Sequence, residues 1–250
     1  MRIYSNSLIL KALRSTGLEP KKINPYLLYY FQNYMSNKQK PDFFNDFAKT
    51  SFESFNFIEE IVKRQNLLID QLNKTLGFEI KRFEATLIRN AVPGIGISSS
   101  FETGISLHFL YGYPYFPSST LKGIASEYAI SFEGEKESEK EYTEVFGTEN
   151  NEGNVIFFDG IPVQMHDLFD VDIVTPHYQD YYSGKSYPAD YLKPIPNSFL
   201  VIKKGVSFKF HLASRNKEAL DNAFKWLLGA LKKLGAGAKT TSGYGHFWQI

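Results

Sequence analysis

The sequence contains no cysteine, and only 3 methionines and 2 tryptophans among its 250 residues. Without thiols the chain has no disulfide framework, thiolate zinc site or cysteine nucleophile, and it fits a reducing compartment. It also lacks a run of about eighteen apolar residues, which a membrane span would need. The apolar stretch near its beginning is broken by Lys11 and Arg14, unlike a secretory signal. We therefore expect a cytoplasmic protein with no membrane partner, and no cofactor is predicted.

Charge of one sign is confined to particular segments. The net charge is only +1. Residues 1–77 carry 11 basic and 7 acidic side chains, a net charge of +4, whereas residues 133–152 carry 8 acidic and 2 basic side chains. Because many acidic side chains are concentrated in one segment, other parts of the chain can present basic faces, which permits nucleic-acid binding. We expect residues 133–152 to form a mobile acidic loop that faces away from RNA, because carboxylates repel phosphates.

The first 77 residues have helical periodicity. Apolar residues in 52–76 recur at spacings of three, four or seven, and Gly77 follows as a stop signal. Pro25 and Pro41 each open a further aromatic pattern, and proline is favoured in the first turn of a helix. We predict that residues 1–77 form a helical N-terminal extension that packs on the rest of the chain and offers surface to a neighbouring subunit.

Residues 78–250 show strands interleaved with two helices. Apolar residues alternate with polar ones from Val206 to Leu212, which indicates a strand with one solvated face. One helical pattern follows Pro117 and another begins at about Asn216. The other candidate strands are residues 83–90, 105–112, 154–163 and 171–176. Too few helices are present for a parallel sheet, so the pattern predicts an α+β sandwich such as a ferredoxin-like fold.

A glycine-rich segment follows the last predicted helix. Its glycines are Gly235, Gly237, Gly243 and Gly245, and its polar residues include Lys239, Thr240, Thr241, Ser242 and Tyr244. Glycines let backbone N–H groups turn toward an anion, hydroxyls donate, and the lysine supplies charge, so the segment suits a phosphodiester backbone. A flexible connector between a helix and a strand explains the same residues. A nucleotide P-loop is excluded, because the glycines of a P-loop follow a strand and precede a helix, whereas these glycines follow a helix and precede a strand.

Two further loops carry unusual chemistry. In residues 110–123, Ser118 or Ser119 is placed to cap a helix whose first turn holds Lys122, which describes either a phosphate site or ordinary capping. Residues 172–197 contain four prolines and five tyrosines without a periodic pattern, which suggests a contact surface. His177 in this loop has either a catalytic or a structural role. Asp170, Asp172 and Asp180 either hold a cation or are simply solvated.

Taken together, these motifs resemble a known superfamily. GAGAKTTSGYGHF, residues 235–247, resembles the glycine-rich signature of the RAMP proteins of CRISPR systems, and LYGYPYFPSSTLKG, residues 110–123, resembles their internal signature. DIVTPHYQDYY with the following PIPNSFLVIKKG resembles the sixth RAMP subunit of type III-B (Cmr) effector complexes. The resemblance covers residues 80–250. It departs from the pattern at Ser118-Ser119, where Gly-Ser is usual, and at Ser126, where arginine is frequent.

The resemblance implies a modified ferredoxin-like (RRM-like) RAMP core in residues 78–250. It also implies a non-catalytic subunit that contacts guide RNA and target RNA near the 3′ part of the guide and packs on other Cmr RAMP subunits. The residues expected to contact RNA are Lys122, Gly235, Gly237, Lys239, Thr240, Thr241, Ser242, Tyr244, His177, Tyr181 and Tyr182. The departures at Ser118-Ser119 and Ser126 remove donors, so the C-terminal loop is the favoured site.

Three other functions fit parts of the sequence. A guide-processing endoribonuclease would use His177 for transfer from a ribose 2′-OH without a metal. A repeated backbone subunit would cut target RNA at regular spacing with magnesium and a loop carboxylate. A globular protein with no RNA role would show no salt-dependent RNA binding.

Overall fold

The structure of the chain is a computed structural model. It describes residues 19–30, 40–99, 101, 103–137, 139–164, 166–175, 184, 187 and 196–249. Six α-helices lie in these residues: α1 (Pro25–Tyr30), α2 (Lys40–Lys49), α3 (Ile58–Leu76), α4 (Ser118–Glu133), α5 (Lys140–Phe146) and α6 (Lys217–Lys233). Short 3-10 helices span Pro20–Lys22, Glu53–Phe57 and Thr240–Ser242. Within the described ranges, no helix is long and apolar enough to span a membrane.

Seven strands are present in the same residues, and every pairing between them is antiparallel. The strands are β1 (Glu79–Leu87), β2 (Val155–Phe157), β3 (Ile161–Pro162), β4 (Phe169–Val174), β5 (Asn197–Ile202), β6 (Ser207–Ser214) and β7 (Phe247–Gln249). The main sheet has the order β2-β6-β1-β7, with β3 also paired to β6, and β4 and β5 form a separate two-stranded sheet. The predicted α+β class is therefore confirmed.

The main sheet is covered by α4 and α6, which also pack on each other. α6 begins where predicted, because the Asn216 side chain accepts a hydrogen bond from the Ala219 N–H at 3.2 Å and so caps the helix. Trp226 of α6 and the strand residues Phe208 and Phe210 are fully buried in one core. The alternation predicted for residues 206–212 holds as far as Phe210, and the apolar side chains of β6 supply that core, but His211, expected on the solvated face, is buried.

The described helices before residue 77 share the same core. Tyr29 of α1 is fully buried and donates a hydrogen bond to the Thr103 carbonyl at 2.7 Å. Its ring stacks on Phe44 of α2, with centroids 5.9 Å apart, and lies edge-on to Phe101 at 6.3 Å. The helical prediction for these residues is confirmed. A domain boundary at residue 77 stays a prediction.

Two segments depart from their predicted secondary structure. Residues 105–112, expected as a strand, form a turn: the His108 N–H donates to the Tyr113 carbonyl at 2.8 Å and the Gly112 N–H to the His108 carbonyl at 2.7 Å. The acidic segment 133–152 is more than a loop, since it contains α5, where Tyr142 and Val145 are buried. Although the segment is acidic, its apolar residues recur at helical spacing, so α5 forms and packs against α4 and α6.

Candidate nucleic-acid interface

The glycine-rich segment makes a series of tight turns between α6 and β7. Left-handed backbone occurs at Gly235, Gly237, Lys239, Gly243 and Gly245, with φ of 77°, 99°, 60°, 90° and 72°. Gly245 shows why glycine is needed, because an added Cβ would lie 2.0 Å from the Ala236 carbonyl oxygen. The turns therefore depend on both the sign of φ and the absence of a side chain.

Backbone hydrogen bonds hold this loop against the chain that follows β1. The Gly245 N–H donates to the Asn90 carbonyl at 2.8 Å, and the Ala238 N–H donates to the Val92 carbonyl at 2.9 Å. The Ala236 N–H closes the loop on the Gly245 carbonyl at 2.8 Å. These groups are not free for a phosphate, contrary to the expectation that glycines would turn them outward. An anion contact at this loop therefore cannot use the N–H groups of Ala236, Ala238 and Gly245.

Lys239 is the basic side chain inside the loop. Its Nζ lies 5.6 Å from the centroid of the Phe199 ring, which is a cation–π distance. Among the described residues it has no carboxylate partner. Thr241 and Ser242 beside it are exposed, whereas Thr240 is half-buried. The ammonium thus has no opposite charge among the described residues, which leaves its charge available to a phosphate.

Tyr244 anchors the loop to β4. Its hydroxyl donates to Asp172 Oδ2 at 2.7 Å, and its ring packs against Phe199 at a centroid distance of 6.1 Å. Burial, followed by the Asp172 carboxylate, raises the pKa of Tyr244 to about 12. The phenol therefore stays protonated near neutral pH and remains a donor to Asp172.

The structure brings two further cations to this loop, Arg89 and Lys204. They line a cavity of about 260 Å³ together with Asp172, Ser242 and Tyr244. Both side chains are exposed, and neither is ion-paired within the part of the chain that is described. Sequence reasoning missed them because each stands just after a strand, far from the glycines. Only the pairing of the chain after β1 with β5 places them together.

Lys122 lies in the first turns of α4 and lines a different cavity from the one beside the glycine-rich loop. Its Nζ donates to the Phe146 carbonyl at 2.9 Å, at the end of α5. The surrounding cavity, of about 710 Å³, is also lined by Ser119, Glu137 and Glu149. Two carboxylates of the acidic segment thus share a cavity with a predicted RNA contact. The expectation that this segment faces away from RNA therefore competes with an RNA contact at Lys122.

The start of α4 already has an anionic partner. The helix begins at Ser118 after Pro117, and no side chain of its own segment caps it, so the expected cap by Ser118 or Ser119 is wrong. Instead, Asp159 Oδ1, from the turn between β2 and β3, accepts from the Ser118 N–H at 2.7 Å. A carboxylate occupies the position that a phosphate would take at a helix N-terminus.

Several predicted residues cannot be placed in this geometry. His177, Tyr181 and Tyr182 lie outside the described residues, as does Asp180. Asp170 and Asp172 each accept from the N–H of the next residue, at 2.9 and 2.8 Å. Over the described ranges, no group of three or more histidines and carboxylates is arranged to hold a metal ion.

Comparison with known proteins gives a consistent result. The family model of the RAMP superfamily matches residues 88–248. The chain is 32% identical over 216 residues to the CRISPR system Cmr subunit Cmr6 of Pyrococcus furiosus, a match that covers 62% of this chain and 64% of that protein. It is 32% identical over 214 residues to the CRISPR system CMR subunit Cmr6 of Saccharolobus solfataricus, covering 84% of this chain and 72% of that one.

A solved structure extends the similarity to the fold. A chain in the cryo-EM structure of the type III-B Cmr-beta bound to cognate target RNA aligns with a TM-score of 0.66 and 28% identity. The alignment covers 98% of this chain and 88% of that chain. The match to the Pyrococcus protein spans less than two thirds of that protein's length.

Proposed function

The chain belongs to the RAMP superfamily and is Cmr6-like, and from that premise we propose that it is a non-catalytic RNA-binding subunit of a type III-B (Cmr) CRISPR effector complex. In this role it contacts guide RNA and target RNA near the 3′ part of the guide and packs on neighbouring RAMP subunits in antiviral defence. The single observation that carries the RNA contact is that Lys239 in the glycine-rich loop, and Arg89 and Lys204 in the cavity beside that loop, have no ion pair within the described chain.

We also propose that the core is a modified ferredoxin-like fold. Support comes from the order of the main sheet, in which β6 lies between β2 and β1 and β7 lies on the far side of β1. Counted along the chain as first, second, third and fourth strands, β1, β2, β6 and β7 stand in the order 2-3-1-4, with α4 after the first and α6 after the third. This is the β-α-β-β-α-β arrangement of that fold.

The RNA contact is electrostatic, because lysine and arginine side chains bind phosphates without reading sequence. Each phosphate contact to a single strand contributes about 0.7 to the slope of log affinity against log salt concentration. Loss of three such contacts should therefore reduce the slope by about 2. Unrelated RNA sequences should be affected equally.

The test uses the full-length chain and fluorescently labelled single-stranded RNA at several salt concentrations. The variant Arg89→Ala/Lys204→Ala/Lys239→Ala is compared with Lys49→Ala/Lys74→Ala/Lys217→Ala, which removes three exposed lysines from other surfaces. We expect the first variant to lose affinity and salt dependence and the second to keep most of both. Equal losses in the two variants would contradict an RNA contact at the glycine-rich loop.

The same preparation tests the absence of catalysis. Labelled guide and target RNAs are incubated with the wild-type chain, once with EDTA and once with magnesium. We expect the RNA to stay intact in both conditions. Cleavage in EDTA would support the guide-processing alternative, and regularly spaced magnesium-dependent cuts would support the backbone-subunit alternative.

A further inference from the structure

The cavity beside the glycine-rich loop contains a carboxylate that phosphate binding does not explain. Asp172 lines it together with Arg89, Asn90, Lys204 and Tyr244. A carboxylate repels a phosphate, so a cavity that bound only the RNA backbone would gain nothing from Asp172. A metal ion is also a poor occupant, since the described residues place one carboxylate here beside two cations.

The Asp172 carboxylate is held in a fixed orientation. Oδ2 accepts from the Tyr244 hydroxyl at 2.7 Å, and Oδ1 accepts from the Ile173 N–H at 2.8 Å. An ionised carboxylate has about four acceptor positions. Each oxygen therefore keeps acceptor capacity for a ligand that presents donors. Such an acceptor-only group selects ligands whose edge donates and disfavours ligands whose edge accepts.

The walls of the cavity are tied together by the backbone. Asn90 accepts from the Gly245 N–H through its carbonyl and from the Lys204 N–H through its side-chain oxygen, at 2.8 and 3.0 Å. The neighbouring Ala91 pairs with Ile202 of β5. These bonds fix the backbone of the glycine-rich loop relative to the backbone at Arg89 and Lys204. Binding a ligand therefore costs little backbone entropy in the walls of the cavity.

Size and charge define the ligand class. A cavity of about 260 Å³ lies just below the range of about 300–1,000 Å³ that is usual for small-molecule pockets, which suits one nucleoside better than a stretch of chain. Arg89 and Lys204 line the cavity and are exposed, so they supply positive charge for the phosphates of that nucleoside. Unpaired bases in single-stranded RNA are recognised in this way, through hydrogen bonds to their Watson–Crick edges.

We propose that this cavity takes one unpaired guanosine of the bound RNA, whose Watson–Crick edge donates to the Asp172 carboxylate. Guanine presents two adjacent donors on that edge, its N1–H and its 2-amino group, whereas each other base presents one donor next to acceptors that a carboxylate repels. Tyr244 positions the carboxylate. The inference rests on the proposed RNA-binding function and adds to it a preference for one base.

The test compares three RNAs bound by the full-length chain: an all-uridine single strand, the same strand with one guanosine, and the same strand with inosine at that position. Inosine lacks the 2-amino group and keeps the N1–H. We expect the guanosine strand to bind about tenfold more tightly than the inosine strand, which is the order expected for one hydrogen bond to a charged group.

The protein side of the test uses Asp172→Asn with Asp170→Asn as its matched control. Asp170 lies on the same strand and makes the same bond to the next N–H, but it lies outside the cavity. The preference for guanosine should disappear in Asp172→Asn and persist in Asp170→Asn. If Asp172→Asn fails to fold, the guanosine and inosine comparison with the wild-type chain decides alone.

The outcomes separate this inference from the proposed function. Equal binding of guanosine and inosine strands by a chain that still binds RNA overturns the guanosine site and leaves the RNA-binding function standing. A uniform gain in affinity for all three strands in Asp172→Asn also overturns it, because the carboxylate then acts only by repulsion. Failure of the wild-type chain to bind any of the strands at low salt contradicts the proposed function itself.

Discussion

The two loops that resemble RAMP motifs differ in the contacts of their lysine, which is Lys239 in the C-terminal loop and Lys122 in the loop before α4. In the C-terminal loop, the Lys239 ammonium lies 5.6 Å from the centre of the Phe199 ring and has no ion pair among the described residues, and Arg89 and Lys204 line the cavity beside this loop. In the loop before α4, Lys122 donates to a carbonyl at the end of α5, and the helix N-terminus is bonded to Asp159. The first arrangement leaves positive charge available to a ligand, whereas the second uses it inside the protein.

A motif can therefore serve the fold as well as a ligand. The glycines of the C-terminal loop form turns that close on the chain after β1, and the lysine of the other loop joins α4 to α5. The presence of a lysine or of glycines in such a motif therefore does not by itself identify a binding site, because the same residues can bond within the protein. Four predictions, in order of decreasing effect, test this contrast.

The largest effect is expected at Gly245. Its φ is 72°, and an added Cβ would meet the Ala236 carbonyl oxygen at 2.0 Å. Gly245→Ala combines a left-handed conformation, which costs about 1–2 kcal/mol in other residues, with an overlap against backbone that costs about as much again. We expect the free energy of unfolding, measured with urea, to fall by about 3 kcal/mol.

Gly243→Ala is the matched control for this loss. The φ of Gly243 is 90°, but no atom lies within 4 Å of an added Cβ. Only the conformational cost remains, so a loss of about 1 kcal/mol is expected. Equal losses in the two alanine variants would mean that the close approach to Ala236 does not matter.

Asp159 should have the next largest effect. Asp159→Ala removes the acceptor of the Ser118 N–H at the start of α4, and loss of such a cap costs about 1 kcal/mol of stability. Asp159→Asn keeps an acceptor oxygen and should lose less than half as much. If both variants unfold like the wild-type chain in urea, Asp159 does not act as the cap, and the contrast between the two loops weakens.

A smaller effect separates the two lysines. Lys239→Ala should weaken binding of unrelated RNAs by a few-fold and reduce the salt slope by about 0.7, as for one phosphate. Lys122→Ala should leave the slope unchanged and lower stability by about 1 kcal/mol, because the Phe146 carbonyl loses its donor. The paired measurements are RNA titrations in salt and urea unfolding of both variants. A larger slope change for Lys122 would reverse the assignment of the two loops.

Much of the fold could be predicted from the sequence because its signals are local. α3, α4 and α6 follow their apolar periodicity, and β6 follows its alternation. Residues 105–112 were predicted as a strand, but their backbone bonds to the N-terminal residues instead. The Ile105 carbonyl accepts from the Tyr30 hydroxyl at 2.6 Å, and the Asn24 amide donates to the Leu110 carbonyl at 2.7 Å. Packing on the N-terminal helices outweighed the strand pattern.

The candidate site was only partly predictable for the opposite reason. The glycine-rich segment is contiguous in sequence, so it could be found by inspection. Arg89, Asp172 and Lys204 come from three separate places and meet through strand pairing and the Tyr244 hydrogen bond. Asp159 caps a helix from a turn more than forty residues away in sequence. No local pattern carries information about such contacts.

The smallest effect is expected from the acidic residues beside Lys122. Glu137 and Glu149 line the same cavity, where their charge opposes any phosphate contact. If RNA approaches only the C-terminal loop, Glu137→Gln/Glu149→Gln should bind RNA with the affinity and salt slope of the wild-type chain, because neither glutamate lines the cavity beside that loop and salt screens exposed charges. The measurement is the same salt titration, with Asp172→Asn as a comparison inside the other cavity. A clear gain in affinity in the double variant would place RNA at the start of α4 and would restore Lys122 as a contact.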